Sequence, residues 1–138
     1  YLDDNNIPGD FGPETDYIVT SKRVARTDMV FVTPEDIRRQ KEAASRRKRK
    51  YARMLVRPTL LIESVSLGHE AHDRETKRKW YAEAGVPNYW IFDAFNRSVE
   101  ALVLDGNEYR TDCLARGEEE FRPSMFPGLA VPLKTIWF

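Results

Sequence analysis

One cysteine, Cys113, is all the chain carries, so no internal disulfide can form. Only His69 and His72 could join it, which excludes the common Cys–His zinc sites. A reducing, cytoplasmic setting is the expectation for a chain this poor in cysteine. No apolar run reaches the roughly 18 residues of a membrane-spanning helix. Nothing at the start resembles a signal peptide. The chain opens on Tyr1 rather than Met, and a helix of the fold is expected upstream of it. There are no repeats and no low-complexity segments. Net charge is absent too, with 22 basic residues against 22 acidic ones.

What is present suits one polar-surfaced globular domain over 1–138, with 41% hydrophobic and 32% charged residues. The neutral total hides an asymmetry. Nine bases, Arg38, Arg39, Lys41, Arg46, Arg47, Lys48, Arg49, Lys50 and Arg53, crowd a segment whose one acid is Glu42. Such a segment is either a solvated basic helix or a footprint for a polyanion. Residues 1–16, rich in Asp, Asn, Gly and Pro, read as loop. Tyr17 to Lys22 and Asp28 to Val32 read as short strands joined by a polar turn. Thr33-Pro34-Glu35-Asp36 starts a helix with a cap, a first-turn proline and acids at its positive end, and that helix runs to about Leu55. Thr59 to Val65 is the most strand-like run. Glu70 to Gly85 reads as a helix closed by a left-handed glycine, followed by the strand Tyr89–Asp93. Val99–Leu104 and Tyr109–Leu114 form a hairpin about Asp105-Gly106-Asn107. Phe126–Leu129 and Ile136–Phe138 read as apolar tethers. Strand, helix and strand in that order predict an α/β fold with a mixed sheet.

Lys77 is out of place for a surface residue. On the second helix it shares a stripe with Trp80, Tyr81 and Ala84, the face that packs on a core, with Asp73 one turn before it. An inward cation needs an anion. Asp28, at the head of Met29-Val30-Phe31-Val32, and Glu63, inside Leu60-Leu61-Ile62-Glu63, are the candidates. If their strands are neighbours, both carboxylates can converge on one Mg²⁺ or Mn²⁺, with Lys77 aiding an attacking water. Each residue also has an ordinary reading. Asp28 can cap a turn, Glu63 can face solvent, and Lys77 can snorkel or pair with Asp73. Arg74 and Arg78 form a second stripe that suits phosphate contacts or plain solvent. Trp80, Tyr81, Tyr89 and Trp90 read as core rather than as base-stacking platforms.

The sequence Asp73-Arg74-x-x-Lys77-x-x-x-Tyr81-Ala82-x-Ala84-Gly85-Val86-Pro87-x-Tyr89-Trp90-Ile91-Phe92-Asp93, after an Asp strand and a Glu strand, resembles the Uma-two family of candidate restriction endonucleases. That family is a branch of the PD-(D/E)xK nuclease superfamily. The resemblance spans roughly Tyr17 to Phe138. It implies a restriction-endonuclease-like fold with an added C-terminal β-hairpin. Asp28 matches the first metal-binding acid and Glu63 the second. In many relatives the lysine follows two residues after the second acid, where Val65 stands here. The family pattern places it on the next helix instead, at Lys77. Thr27 replaces the proline usual before the first acid, and Ser66-Leu67-Gly68-His69 replaces a more usual Ser-Pro-Ser-Thr-like turn. The expected activity is metal-dependent cleavage of DNA, with Asp73 supporting Lys77 and Arg46, Arg47, Lys48, Arg49, Arg74 and Arg78 gripping the backbone. A homodimer is a further expectation of the resemblance. The alternative is a non-catalytic nucleic-acid-binding or interaction module that keeps the fold.

Overall fold

The protein is described by a computed structural model covering residues 9–12, 15–20, 23–46, 56–65 and 70–137, with side chains at 9, 27–45, 56–65 and 75–137. A six-stranded mixed sheet organises it. The strands run in the order β1 (Asp10–Gly12), β4 (Met29–Val32), β5 (Leu60–Ser64), β6 (Asn88–Asp93), β7 (Ser98–Asp105) and β8 (Glu108–Arg116). Among the described residues only β5 and β6 pair in parallel, with Glu63 beside Ile91. A parallel pair needs a long crossover, and helix α2 (Glu70–Ala84) supplies it. The expected hairpin is β7–β8, which pairs with β6 and so extends the same sheet.

The two central strands are apolar without alternation because both of their faces are covered. On one face α2 lays Tyr81 against Leu61, Tyr89, Ile91 and Leu102. On the other the C-terminal chain sets Phe121, Phe126 and Leu133 against Phe31, Leu60, Trp90 and Val99. Here Trp90 meets Phe121 and Phe126 edge-on, with ring centroids 5.1 and 5.8 Å apart, the arrangement favoured by the ring quadrupoles. The expected tethers are therefore the lid of this second core.

Helix α1 (Pro34–Arg46) begins as the sequence predicts. The Asp36 amide donates to Thr33 Oγ1 at 3.2 Å, and the Thr33 amide donates back to Asp36 Oδ2 at 3.0 Å. That reciprocal pair satisfies two donors of the first turn. Its expected continuation from 47 to about Leu55 lies outside the described residues. At the end of α2, Gly85 adopts φ 77°, and the Val86 amide reaches back to the Tyr81 carbonyl at 3.0 Å. This is the left-handed glycine cap anticipated for that position.

Two expectations need correcting. Residues 1–16 are not all loop: Asp10–Gly12 pairs with β4, and a further strand, β2 (Thr15–Thr20), starts inside the span. Beside β1, Gly9 passes so close to Phe31 that an added Cβ would stand 2.4 Å from its ring, so no larger residue fits. The supposed polar turn before Asp28 is itself a strand, β3 (Arg23–Thr27), which pairs antiparallel with β2. Its residues show no period-two alternation, and the strand exists through its backbone pairing with β2. The short pair β9 (Glu120–Phe121) and β10 (Val131–Pro132) pins the C-terminal lid.

Candidate active site

Glu63 is the centre of the site. The alternation that sends Leu61 toward α2 sends Glu63 the same way, and the residue is only 6% exposed. A carboxylate there needs partners. α2 supplies two from one stripe, four residues apart. Lys77 Nζ donates to Oε2 at 3.0 Å, and the Tyr81 hydroxyl donates to Oε1 at 2.6 Å. The inward stripe expected of Lys77 is therefore present, and its anion is Glu63.

Asp28 reaches the same place from the bend between β3 and β4. Its Oδ2 accepts the Ser64 amide at 2.6 Å, next to Glu63 in the chain. The residue before it, Thr27, is fully buried, so the acid is held from a fixed base while its own side chain stays open to solvent. Burial pushes the Glu63 carboxyl above its ordinary value of 4.5. The Tyr81 hydroxyl and the Lys77 ammonium oppose that rise without cancelling it, and the Asp28 charge adds to it.

Hard oxygen donors suit Mg²⁺ or Mn²⁺ rather than a soft metal. Among the described residues no three His, Cys, Asp or Glu side chains cluster. A pair of carboxylates is nonetheless the usual protein share of a Mg²⁺ site, with water and phosphate oxygens completing the shell. The donor set fits such an ion.

Tyr81 is the site residue that sequence reasoning missed. It was read as core, and its ring is core, but its hydroxyl is a ligand of the acid. Its position four residues after Lys77 was the available signal. Arg78 lies beside the site rather than in it. Its guanidinium donates to the Tyr109 carbonyl at 3.0 Å, at the edge of a groove that also holds Glu75, Lys79, Glu83 and Glu108. Arg46 and Arg74 lie on the helices, but their side chains, with those of Asp73 and His72, fall outside the description. Arg47, Lys48, Arg49 and His69 lie outside the described residues altogether. No helix is long and apolar enough to cross a membrane among the described residues.

A mixed sheet whose parallel pair is bridged by a helix carrying a lysine to a strand acid is the architecture of a restriction-endonuclease-like nuclease. The fold is shared with the crystal structure of a "putative nuclease belonging to DUF820" from Anabaena variabilis ATCC 29413. That likeness has a TM-score of 0.66 at 15% identity, and it covers 99% of this chain and 71% of that one. Over residues 1–134 the chain matches the Uma2 family model, described as "Putative restriction endonuclease". The protein belongs to the Uma2 family. No curated protein matches it.

Proposed function

We propose that the protein is a metal-dependent endonuclease that hydrolyses phosphodiester bonds of DNA at the Asp28–Glu63–Lys77 site. The observation that carries this reading is the buried Glu63 carboxylate, held by Lys77 and Tyr81 and crowded by Asp28. Asp28 and Glu63 would hold the ion. Once bound, Mg²⁺ or Mn²⁺ would supply a more acidic water and offset charge building on the phosphate. Lys77, held on Glu63, places its charge where it serves the attacking water or the phosphate oxygen. Tyr81 fixes the rotamer of Glu63, so the acid presents its remaining lone pairs in one direction. Asp73 orients Lys77 from the preceding turn. The basic residues Arg46, Arg47, Lys48, Arg49, Arg74 and Arg78 bind backbone phosphates without reading bases.

The test is nicking of supercoiled plasmid with Mg²⁺, Mn²⁺ or EDTA. Wild type nicks with either metal and not with EDTA. Asp28→Ala and Lys77→Ala each lose more than about 100-fold of the rate, beyond the 10- to 100-fold typical of residues that merely orient a ligand. Full activity in Asp28→Ala would sink the assignment.

A further inference from the structure

The sheet face that carries Glu63 extends beyond α2. Pairing sets Glu63, Ile91, Glu100 and Leu114 in one row across β5, β6, β7 and β8, all on the side of α2. The next row continues through Asp93, Ser98 and Arg116. Tyr81, Tyr89, Leu102 and Tyr109 fill the α2 end of this face. The other end is a cavity of about 490 Å³ lined by Asp93, Asn96, Ser98, Glu100, Leu114 and Arg116. Strands about 4.8 Å apart put Glu100 about 10 Å from Glu63.

Its lining combines three chemistries. Leu114 is 43% exposed although it sits on a strand. Among the described residues, the Arg116 guanidinium has no hydrogen-bond partner, and its backbone amide is fixed by Glu119 Oε1 at 2.8 Å. Glu100 Oε2 accepts the Thr111 hydroxyl at 2.7 Å and keeps its other oxygen for a donor. Asp93 is occupied, because the amide and the side chain of Asn96 donate to it at 3.0 and 2.8 Å and close the turn. Asn96 and Ser98 line the same space. A ligand must therefore bring an anion for Arg116, an apolar plane for Leu114 and an amino donor for Glu100. A nucleotide of a polynucleotide chain brings all three. The volume also lies within the 300–1,000 Å³ or so of small-molecule pockets.

We infer that this cavity seats one nucleotide of the strand being cut, a short step from the scissile phosphate, and biases the choice of base there. This rests on the nuclease reading above. Arg116 takes the phosphate, Leu114 lies against the sugar or base face, and Glu100 accepts a hydrogen bond from an exocyclic amine. Cytosine and adenine carry that amine on the major-groove edge and thymine does not.

The test is to map nick sites on plasmid at base resolution and to measure oligonucleotide affinity by fluorescence anisotropy across a salt series. Wild type should favour cytosine or adenine over thymine at one fixed offset from the nick, and Glu100→Gln should erase that bias while nicking continues. Arg116→Ala should weaken oligonucleotide binding about tenfold and lower the salt slope by about one, the signature of one lost phosphate contact. Wild-type circular dichroism for both variants excludes misfolding as the cause. Nicking with no base bias, or variants with unchanged bias and salt slope, overturns this inference and leaves the nuclease reading standing. If wild type does not nick, the nuclease reading falls, and an unchanged anisotropy titration for Arg116→Ala overturns the cavity as well.

Discussion

Two acids in this protein are nearly closed to solvent and behave in opposite ways. Asp36, at the start of α1, is 3% exposed, and Glu63, at the end of β5, is 6% exposed. Burial raises both carboxyl pKa values. At Asp36 the hydrogen bonds from Thr59, Thr33 and Arg39 outweigh it, and its carboxyl titrates below its ordinary value of 3.8. At Glu63 the Tyr81 hydroxyl and Lys77 fall short, and its carboxyl titrates above 4.5. Asp36 caps its own helix and accepts the Thr59 hydroxyl at 2.6 Å just before β5, so it ties two elements together. It has what a structural carboxylate needs. Glu63 has less than it needs, in a place open to Asp28. The difference marks Glu63 as the candidate functional acid of the pair.

The comparison can be broken in three ways. Asp36→Ala removes a helix cap and leaves Thr59 and Arg39 without their acceptor. It should cost about 3 kcal/mol at neutral pH, read as a lower urea midpoint, since truncating one partner of a buried charged network costs 3–5 kcal/mol and a cap alone about 1. Nicking at a temperature where the variant is folded should be unchanged. Because the Asp36 pKa is lowered, its stabilisation is present above 3.8 and is lost as pH falls below it. Glu63→Gln should show the opposite slope. A raised pKa means the folded state holds the proton longer. Wild type should therefore lose stability relative to Glu63→Gln as pH rises above 4.5, by at most about 1.4 kcal/mol per pH unit, until the folded carboxyl has ionised. Matched thermal melts from pH 4 upward read this directly, and a flat difference would place the two acids in one class. Tyr81→Phe keeps the core ring and deletes one donor. The expected cost is about 1–3 kcal/mol for a buried acceptor left short, with a larger loss in nicking than in stability. Equal nicking would make Tyr81 a packing residue only.

Much of this was legible in the chain. β4 and β5 show continuous apolar runs because both faces are covered, and the stripe of Lys77 and Tyr81 on α2 gave the inward face. Glu63 and Lys77 could be paired from those patterns alone. The Tyr81 hydroxyl could not, since an aromatic on a buried stripe is explained by its ring. Nor could the bond between Asp28 and the Ser64 amide, which depends on the register of β4 against β5. β1 was missed because three residues, Asp10-Phe11-Gly12, carry no periodicity, and their strand exists through backbone pairing with β4. β3 was missed because Arg23 and Arg26 gave a strand the composition of a turn. The match of residues 1–134 to Uma2 supports the family resemblance seen in the helix-to-strand block.

The site also has an order of assembly written into its connectivity. Glu63 finds Lys77 and Tyr81 only 14 and 18 residues away, within one strand–helix unit, whereas the Asp28 carboxylate meets Ser64 across 36. Closing the longer loop costs about 0.8 kcal/mol more in chain entropy than the shortest one. The lysine and tyrosine therefore find their acid early in folding, and the second carboxylate arrives when β4 zips against β5. Pulse-labelled hydrogen exchange should show the α2 amides protected before the Ser64 amide, and simultaneous protection would refute the order. A chain still folding then holds Glu63 with its helix partners before the Asp28 carboxylate joins them, and the candidate site is complete only once β3 and β4 are in place.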